Sequence, residues 1–183
     1  MRRAALTIEL IPSSSWGTNI RSLIGQTRWD KVRRQAYERA GHRCEVCGSD
    51  HITLTGSRVP YAVECHEVWE YDDEHHVQRL VRMIALCPAC HSVKHYGRTS
   101  NLGYGREAEA HLARVNGWTQ REVEEHIEES GGLWEQRSQF SWQMDLSALR
   151  EYGVDPEAIG PVSAEGPAEK VLRQIERERT RPE

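Results

Sequence analysis

The sequence predicts an α+β chain: a small unit of two antiparallel strands and a short helix, with an amphipathic helix before it and further short helices after it. Three observations carry this. Two C-x2-C pairs, Cys44/Cys47 and Cys87/Cys90, are separated by 39 residues and bracket two runs rich in Val, Leu, Ile and aromatics. Apolar residues recur at helical spacing just before the first pair. Beyond residue 98 the chain changes to helical patterns with explicit start and stop signals.

Ala4 to Ile11 alternates Leu6, Ile8 and Leu10 with Thr7 and Glu9 up to Pro12, the pattern of a short half-buried strand. A Ser/Gly-rich loop follows. From Arg28 to Ala40, Trp29, Val32, Ala36 and Ala40 share a helix face while Lys31, Arg33, Arg34 and Arg39 take the others, and Gly41 ends the run. This basic amphipathic helix leads straight to Cys44 and Cys47, with Gly48 free to make the tight turn behind them. Ala62 to Trp69 and Arg79 to Leu86 read as the two strands, joined by the polar connector YDDEHH. Pro88 opens a helix of about two turns over Ala89–His95, before Gly97. Glu107–Val115 closes at Asn116-Gly117, and Thr119 with Glu122 forms a capping box for a helix that ends at Gly131-Gly132. Leu133–Phe140 and Asp145–Tyr152 read as short helices, with Trp134, Phe140 and Trp142 as packing anchors. A Pro/Gly-rich linker over 153–167 precedes a charged helix or frayed tail at 168–179. The organisation is therefore 1–27 packed on the core, a metal-knuckle unit at 28–98, a helical extension at 104–152, and a linker with tail at 153–183.

At 183 residues the chain has room for about one compact domain with appendages. It is 38% hydrophobic and 28% charged with a mean hydropathy of -0.71, so a modest apolar core needs help, and a bound metal is the obvious candidate. No apolar run approaches the ~20 residues of a membrane span, and Glu9 interrupts the first apolar run, so a cytoplasmic protein with no membrane partner is expected. Residues 1–105 hold 14 Lys and Arg against 11 Asp and Glu, the rest 10 against 17. Seven of the nine histidines also lie in the first part, which locates the chemistry there.

Four thiols as two C-x2-C knuckles match a tetrahedral structural zinc site, because each knuckle presents two sulfurs to one side of the ion. An odd cysteine count at this spacing does not suit a secreted disulfide framework. His66 lies in the first strand, and His91 and His95, four residues apart, share a face of the helix after the second knuckle. If the hairpin folds back beside that helix, three imidazoles converge on a second divalent ion.

The order W-x2-V-R-R-x-A-Y-x-R-A-G-x-R-C-E-x-C-G, then E-C-H-E-V-W, then A-L-C-P-A-C-H-x-V-K-H resembles a zinc-stapled HNH endonuclease of the ββα-metal (His-Me finger) group, over about residues 28–96. The resemblance implies a catalytic divalent cation (Mg2+, Mn2+, Ni2+ or Zn2+) on His66, His91 and His95, and cleavage of DNA that leaves a 3′-hydroxyl. Similar proteins often read E-x-H-H, a metal ligand followed by the general base. Here Glu64-Cys65-His66-Glu67 puts His66 at the ligand position and Glu67 at the base position, and a shifted register would put Cys65 and His66 there instead. The family's middle Asn has no counterpart between Glu67 and His91, leaving Gln78 or Asp72 as substitutes. His75 and His76, in the connector, read as solvated loop residues. Arg28, Lys31, Arg33, Arg34, Arg39, Arg43, Lys94 and Arg98 cluster in sequence around this unit, and Arg33, Arg34, Lys94 and Arg98 are the candidate DNA contacts. The acidic extension reads as scaffold, or as a surface for a protein partner. The alternative to a nuclease is a zinc-stapled nucleic-acid- or protein-binding module whose catalytic site has decayed.

Overall fold

A computed structural model describes residues 4–16, 19–49, 53–55 and 63–164. The expected start of the first strand at Ala62 and the charged segment from residue 168 lie outside the described residues. After a 3₁₀ turn at Ser13–Ser15 come α1 (Ile20–Ile24), α2 (Gln26–Arg39), β1 (Glu64–Asp72), β2 (Val77–Leu86), α3 (Pro88–Lys94), α4 (Tyr96–Asn101), α5 (Gly105–Asn116), α6 (Gln120–Arg137) and β3 (Trp142–Asp145). Two further 3₁₀ turns, Ser147–Tyr152 and Pro156–Ala158, precede β4 (Ser163–Ala164). The α+β class expected from the sequence is the one found.

The sheet has the order β1-β2-β3-β4, so β1 is an edge strand. β1 and β2 are antiparallel, with His66 opposite Ile84 and a register shift between Val68 and Trp69. β3 runs parallel to β2, which needs the long helical crossover between them. The sheet separates two cores. One buries Leu6, Ile8, Ile84, Leu86, Val93, Leu112 and Val123 around Cys44, Cys87 and Cys90. The other buries Ile20, Val32, Ala36, Cys65, Leu80, Met83, Leu149 and Tyr152 beneath α2. The acidic extension is thus scaffold in part: α5 and α6 place Leu112 and Val123 beside the cysteines.

Several sequence expectations are corrected by tertiary packing. Residues 4–11 are buried in alternation but join no strand ladder. Instead the Glu9 N–H donates to Lys94 O at 3.1 Å, Ala5 and Leu6 donate to Asn116 Oδ1 at 2.9 and 3.0 Å, and Ile8 donates to His126 Nε2 at 3.0 Å. The loop before α2 contains α1, capped by Asn19, and Gly25 at φ +78° makes the sharp break between the two helices. Gly97 does not end the helical stretch, which re-forms as α4. Nor do Gly131 and Gly132 end α6. Each weakens the helix by about 1 kcal/mol, but Trp134 Nε1 donates to Ile11 O at 3.1 Å and Arg137 pairs doubly with Asp73 at 2.7 Å, which holds the last turns. The expected Leu133–Phe140 helix is therefore the end of α6, and Trp142–Asp145 is strand, with Trp142 and Met144 buried on alternate positions.

Of the three aromatic anchors, Trp142 is 1% exposed and donates to Arg137 O at 2.9 Å, whereas Phe140 is exposed and stacks on His76 with centroids 4.3 Å apart. Replacing Trp142 by Ala should therefore destabilise the chain by about 3–5 kcal/mol, read from the urea midpoint, while Phe140→Ala should cost less than about 1 kcal/mol.

Candidate metal centres

The first knuckle leaves α2 and turns at Gly48, φ +73°. Its fold is fixed by the Gly48 N–H donating to Cys44 O at 2.9 Å and the Cys44 N–H donating to Ser49 O at 2.7 Å. Glu45 docks it on the open edge of β2: its N–H donates to Ala85 O at 2.9 Å, and its carboxylate accepts from the Ala85 N–H at 3.0 Å and from Arg82 at 2.6 Å. The second knuckle is the start of α3, where Cys87 caps the helix and accepts the Cys90 N–H on its sulfur at 3.5 Å.

The four Sγ atoms of Cys44, Cys47, Cys87 and Cys90 all lie within 4.8 Å of one another, and those of Cys47 and Cys87 are 3.6 Å apart. Sulfurs ~2.3 Å from a tetrahedral zinc sit about 3.8 Å from each other. The donor set, spacing and closure fit a structural metal such as zinc. Hydrogen bonds from the Cys87 and Cys90 thiols hold the Cys44 thiol well below its ordinary value, while proximity to Cys44 and Cys87 drives Cys90 up. So many sulfurs at this distance ionise together only around a cation. Support from behind the sulfurs, not foreseen in the sequence, comes from α5. Arg114 donates to His111 Nδ1 at 2.6 Å, which leaves the Nε2–H to donate to Cys90 Sγ at 3.2 Å. Burial, with Arg114 adding to it, pushes His111 down to about 4, so its ring is neutral.

The second centre joins β1 to α3. One ring nitrogen from each of His66, His91 and His95 lies within 4.8 Å of the others, and the rings are steeply inclined with centroids 4.6 to 5.3 Å apart. His66 is buried. Its Nε2–H donates to Glu9 Oε2 at 3.0 Å, while its Nδ1 is buried with no hydrogen-bond partner among the described residues. His91 Nδ1 is bonded to the Glu64 carboxylate, which turns Nε2 toward His95 Nε2 at 3.0 Å. An orphaned Nδ1 and two facing Nε2 atoms, with carboxylates fixing two of the tautomers, fit a divalent cation. Burial, with charge on His91 and His66, pushes His95 down to about 3, so its ring is neutral.

Glu9 is the residue that sequence reading missed. Burial tends to raise its carboxyl, but the His66 hydrogen bond and the Lys94 ammonium outweigh this and hold it below its ordinary value. Its signal was a lone glutamate inside an apolar run. Glu9→Gln should weaken binding of Ni2+ or Mn2+ at the histidines by roughly 10–100-fold, measured by calorimetry, with the zinc content unchanged.

The remaining candidates separate. Lys94 does not face solvent. It is 6% exposed, donates to Thr7 Oγ1 at 3.0 Å and pairs with Glu9, so its charge is committed inside the fold. Arg33 is held by Asp30 at 2.7 Å and acts on the Cys65 thiol, which lies on the face of β1 opposite His66. Arg34, on the same helix, is exposed. Neither α2 arginine is brought to the histidines, whereas exposed Arg98 acts electrostatically on both Glu64 and His95. Strand alternation puts Glu67 on the face away from the His66 ring, yet β1 is an edge, and one cleft wrapping that edge is lined by His66, Glu67, His95 and Arg98. Asp72 holds the hairpin turn, accepting from the N–H groups of Glu74 and His75, while Gln78 is buried against Ser15. His75 pairs with Asp72 and His76 stacks on Phe140, so both stay in the connector. Cys65 is buried, its thiol pushed up to about 12 by burial and the Glu67 charge, and it belongs to neither centre.

No family model, curated protein or solved structure matches the chain. Among the described residues, no helix is long and apolar enough to cross a membrane.

Proposed function

We propose that this chain is a metal-dependent endonuclease of HNH type that hydrolyses DNA phosphodiester bonds. The observation that carries the reading is the convergence of one ring nitrogen each from His66, His91 and His95, together with a His66 Nδ1 that is buried and unpartnered among the described residues. A divalent cation held there supplies Lewis acidity toward a phosphodiester. His66, His91 and His95 hold it, and Glu9 and Glu64 keep the first two rings in the tautomers that bind. Glu67, half-buried at the cleft wall and without a hydrogen-bond partner among the described residues, takes the proton from the attacking water on a carboxylate oxygen. Arg98, on the same cleft, meets the phosphate charge. The four-cysteine centre, bound to zinc, clamps the first knuckle to the end of β2 and the start of α3, and so sets where His91 and His95 stand.

A plasmid-nicking assay with Mg2+, Mn2+, Ni2+ or Zn2+ tests this: nicking that depends on one of these ions and stops on chelation supports the enzyme. The second reading, a zinc-stapled binding module with a decayed site, is favoured by the glutamate at position 67, where the resembling nucleases carry a histidine base. Binding of DNA with no cleavage under any of the four ions would establish it.

A further inference from the structure

We propose that the cleft beside the histidines receives an unpaired nucleobase, so that the preferred substrate is single-stranded or locally unpaired DNA. This deepens the nuclease reading and rests on it. The cleft has a volume of about 790 Å³, within the ~300–1,000 Å³ of pockets that enclose a ligand. A duplex presents a charged phosphate ridge, which calls for cations on a surface rather than for a largely apolar cleft. Away from His66 and His95 the larger part of the wall is apolar or aromatic, with Leu10, Trp16, Trp69 and Trp134 in it, while Glu9, Glu67 and Arg98 are its charged members.

Trp16 is the decisive residue. It is 68% exposed, yet its ring is not loose: its Nε1–H donates to Ile11 O at 3.1 Å, and the Nε1–H of Trp134 donates to that same carbonyl at 3.1 Å. The two indoles are within 28° of parallel, with centroids 6.3 Å apart. An exposed indole fixed in plane at the mouth of a cleft is a stacking platform, and base stacking on such a ring tolerates any sequence. Arg98, exposed on the same cleft, offers a cation to the phosphate attached to the stacked nucleotide. Continuity with the histidine centre and this charge both point to a nucleotide strand rather than an apolar peptide.

The test uses the full chain with a short single strand, the matching duplex, and the same strand carrying one abasic site at the cut position. Binding is read by indole fluorescence and cleavage on a gel. The single strand should bind and be cut roughly tenfold better than the duplex. Removing the base, or making Trp16→Ala, should each lose roughly that factor on the strand, and the two together should lose no more than either alone. Trp16→Phe should restore most of it. Equal preference for duplex, fully additive losses, or tighter binding by Trp16→Ala overturns the proposal. Plasmid nicking without strand preference sinks only this inference, whereas no cleavage of any DNA under any ion sinks the nuclease reading itself.

Discussion

Replacing Cys44 or Cys87 by Ser is expected to remove about one zinc per chain and to leave the protein largely unfolded at about 37 °C. Structural zinc contributes about 10–16 kcal/mol in small zinc modules, as much as the roughly 5–15 kcal/mol by which whole domains are stable. Cys44, Cys87 and Cys90 sit inside the core formed by Leu6, Ile84, Leu86, Val93 and Leu112, so a lost ligand also leaves thiolates buried without a cation. Metal content by mass spectrometry and a thermal melt read both effects. Cys65→Ser is the control, since Cys65 is buried on the other side of the sheet and should keep the full zinc content. A Cys44→Ser protein that retains all its zinc would contradict the four-cysteine assignment.

The largest effect on activity should come from the histidines. His66→Ala or His91→Ala should reduce metal-dependent nicking by about a thousandfold or more, since a Lewis acid contributes several kcal/mol and each ~1.36 kcal/mol is tenfold in rate. Zinc content and circular dichroism should be unchanged, because neither residue belongs to the four-cysteine centre. Glu67→Gln separates ligand from base: it should lose about 10²–10⁴-fold in nicking while Ni2+ or Mn2+ binding persists. Nicking that survives both histidine variants would remove the metal centre from the reaction.

Both side-chain clusters were legible in the sequence largely through local pairs, the two C-x2-C knuckles and His91 with His95. C-x2-C fixes two sulfurs on one knuckle, and residues four apart share one helix face, so spacing alone specifies much of each site. The hairpin was legible for the same reason, in the composition of two adjacent runs. What sequence reading misplaced depended on distant partners. Lys94 looked like a surface cation between two histidines, but a charge in that position is buried once residues 4–11 lie across α3 with Glu9 and Thr7 to receive it. Arg33 and Arg34 are near the knuckle in sequence, yet α2 packs over the core on the side of the sheet away from the histidines. Gly131-Gly132 signalled a helix end that packing of Trp134 on residue 11 overrode.

The sequence by itself determined the residue types and local spacings, and with them an α+β chain carrying four clustered thiols and three histidines able to share an ion. Only the tertiary structure decided that Glu9 and Glu64 orient those rings, that His111 supports a cysteine sulfur, and that a tryptophan-lined cleft opens beside them. The reason is that local pattern is written within a few residues, whereas the bonds that orient the ligands join groups 27, 57 or 21 positions apart, and such pairs exist only once the chain has closed its core.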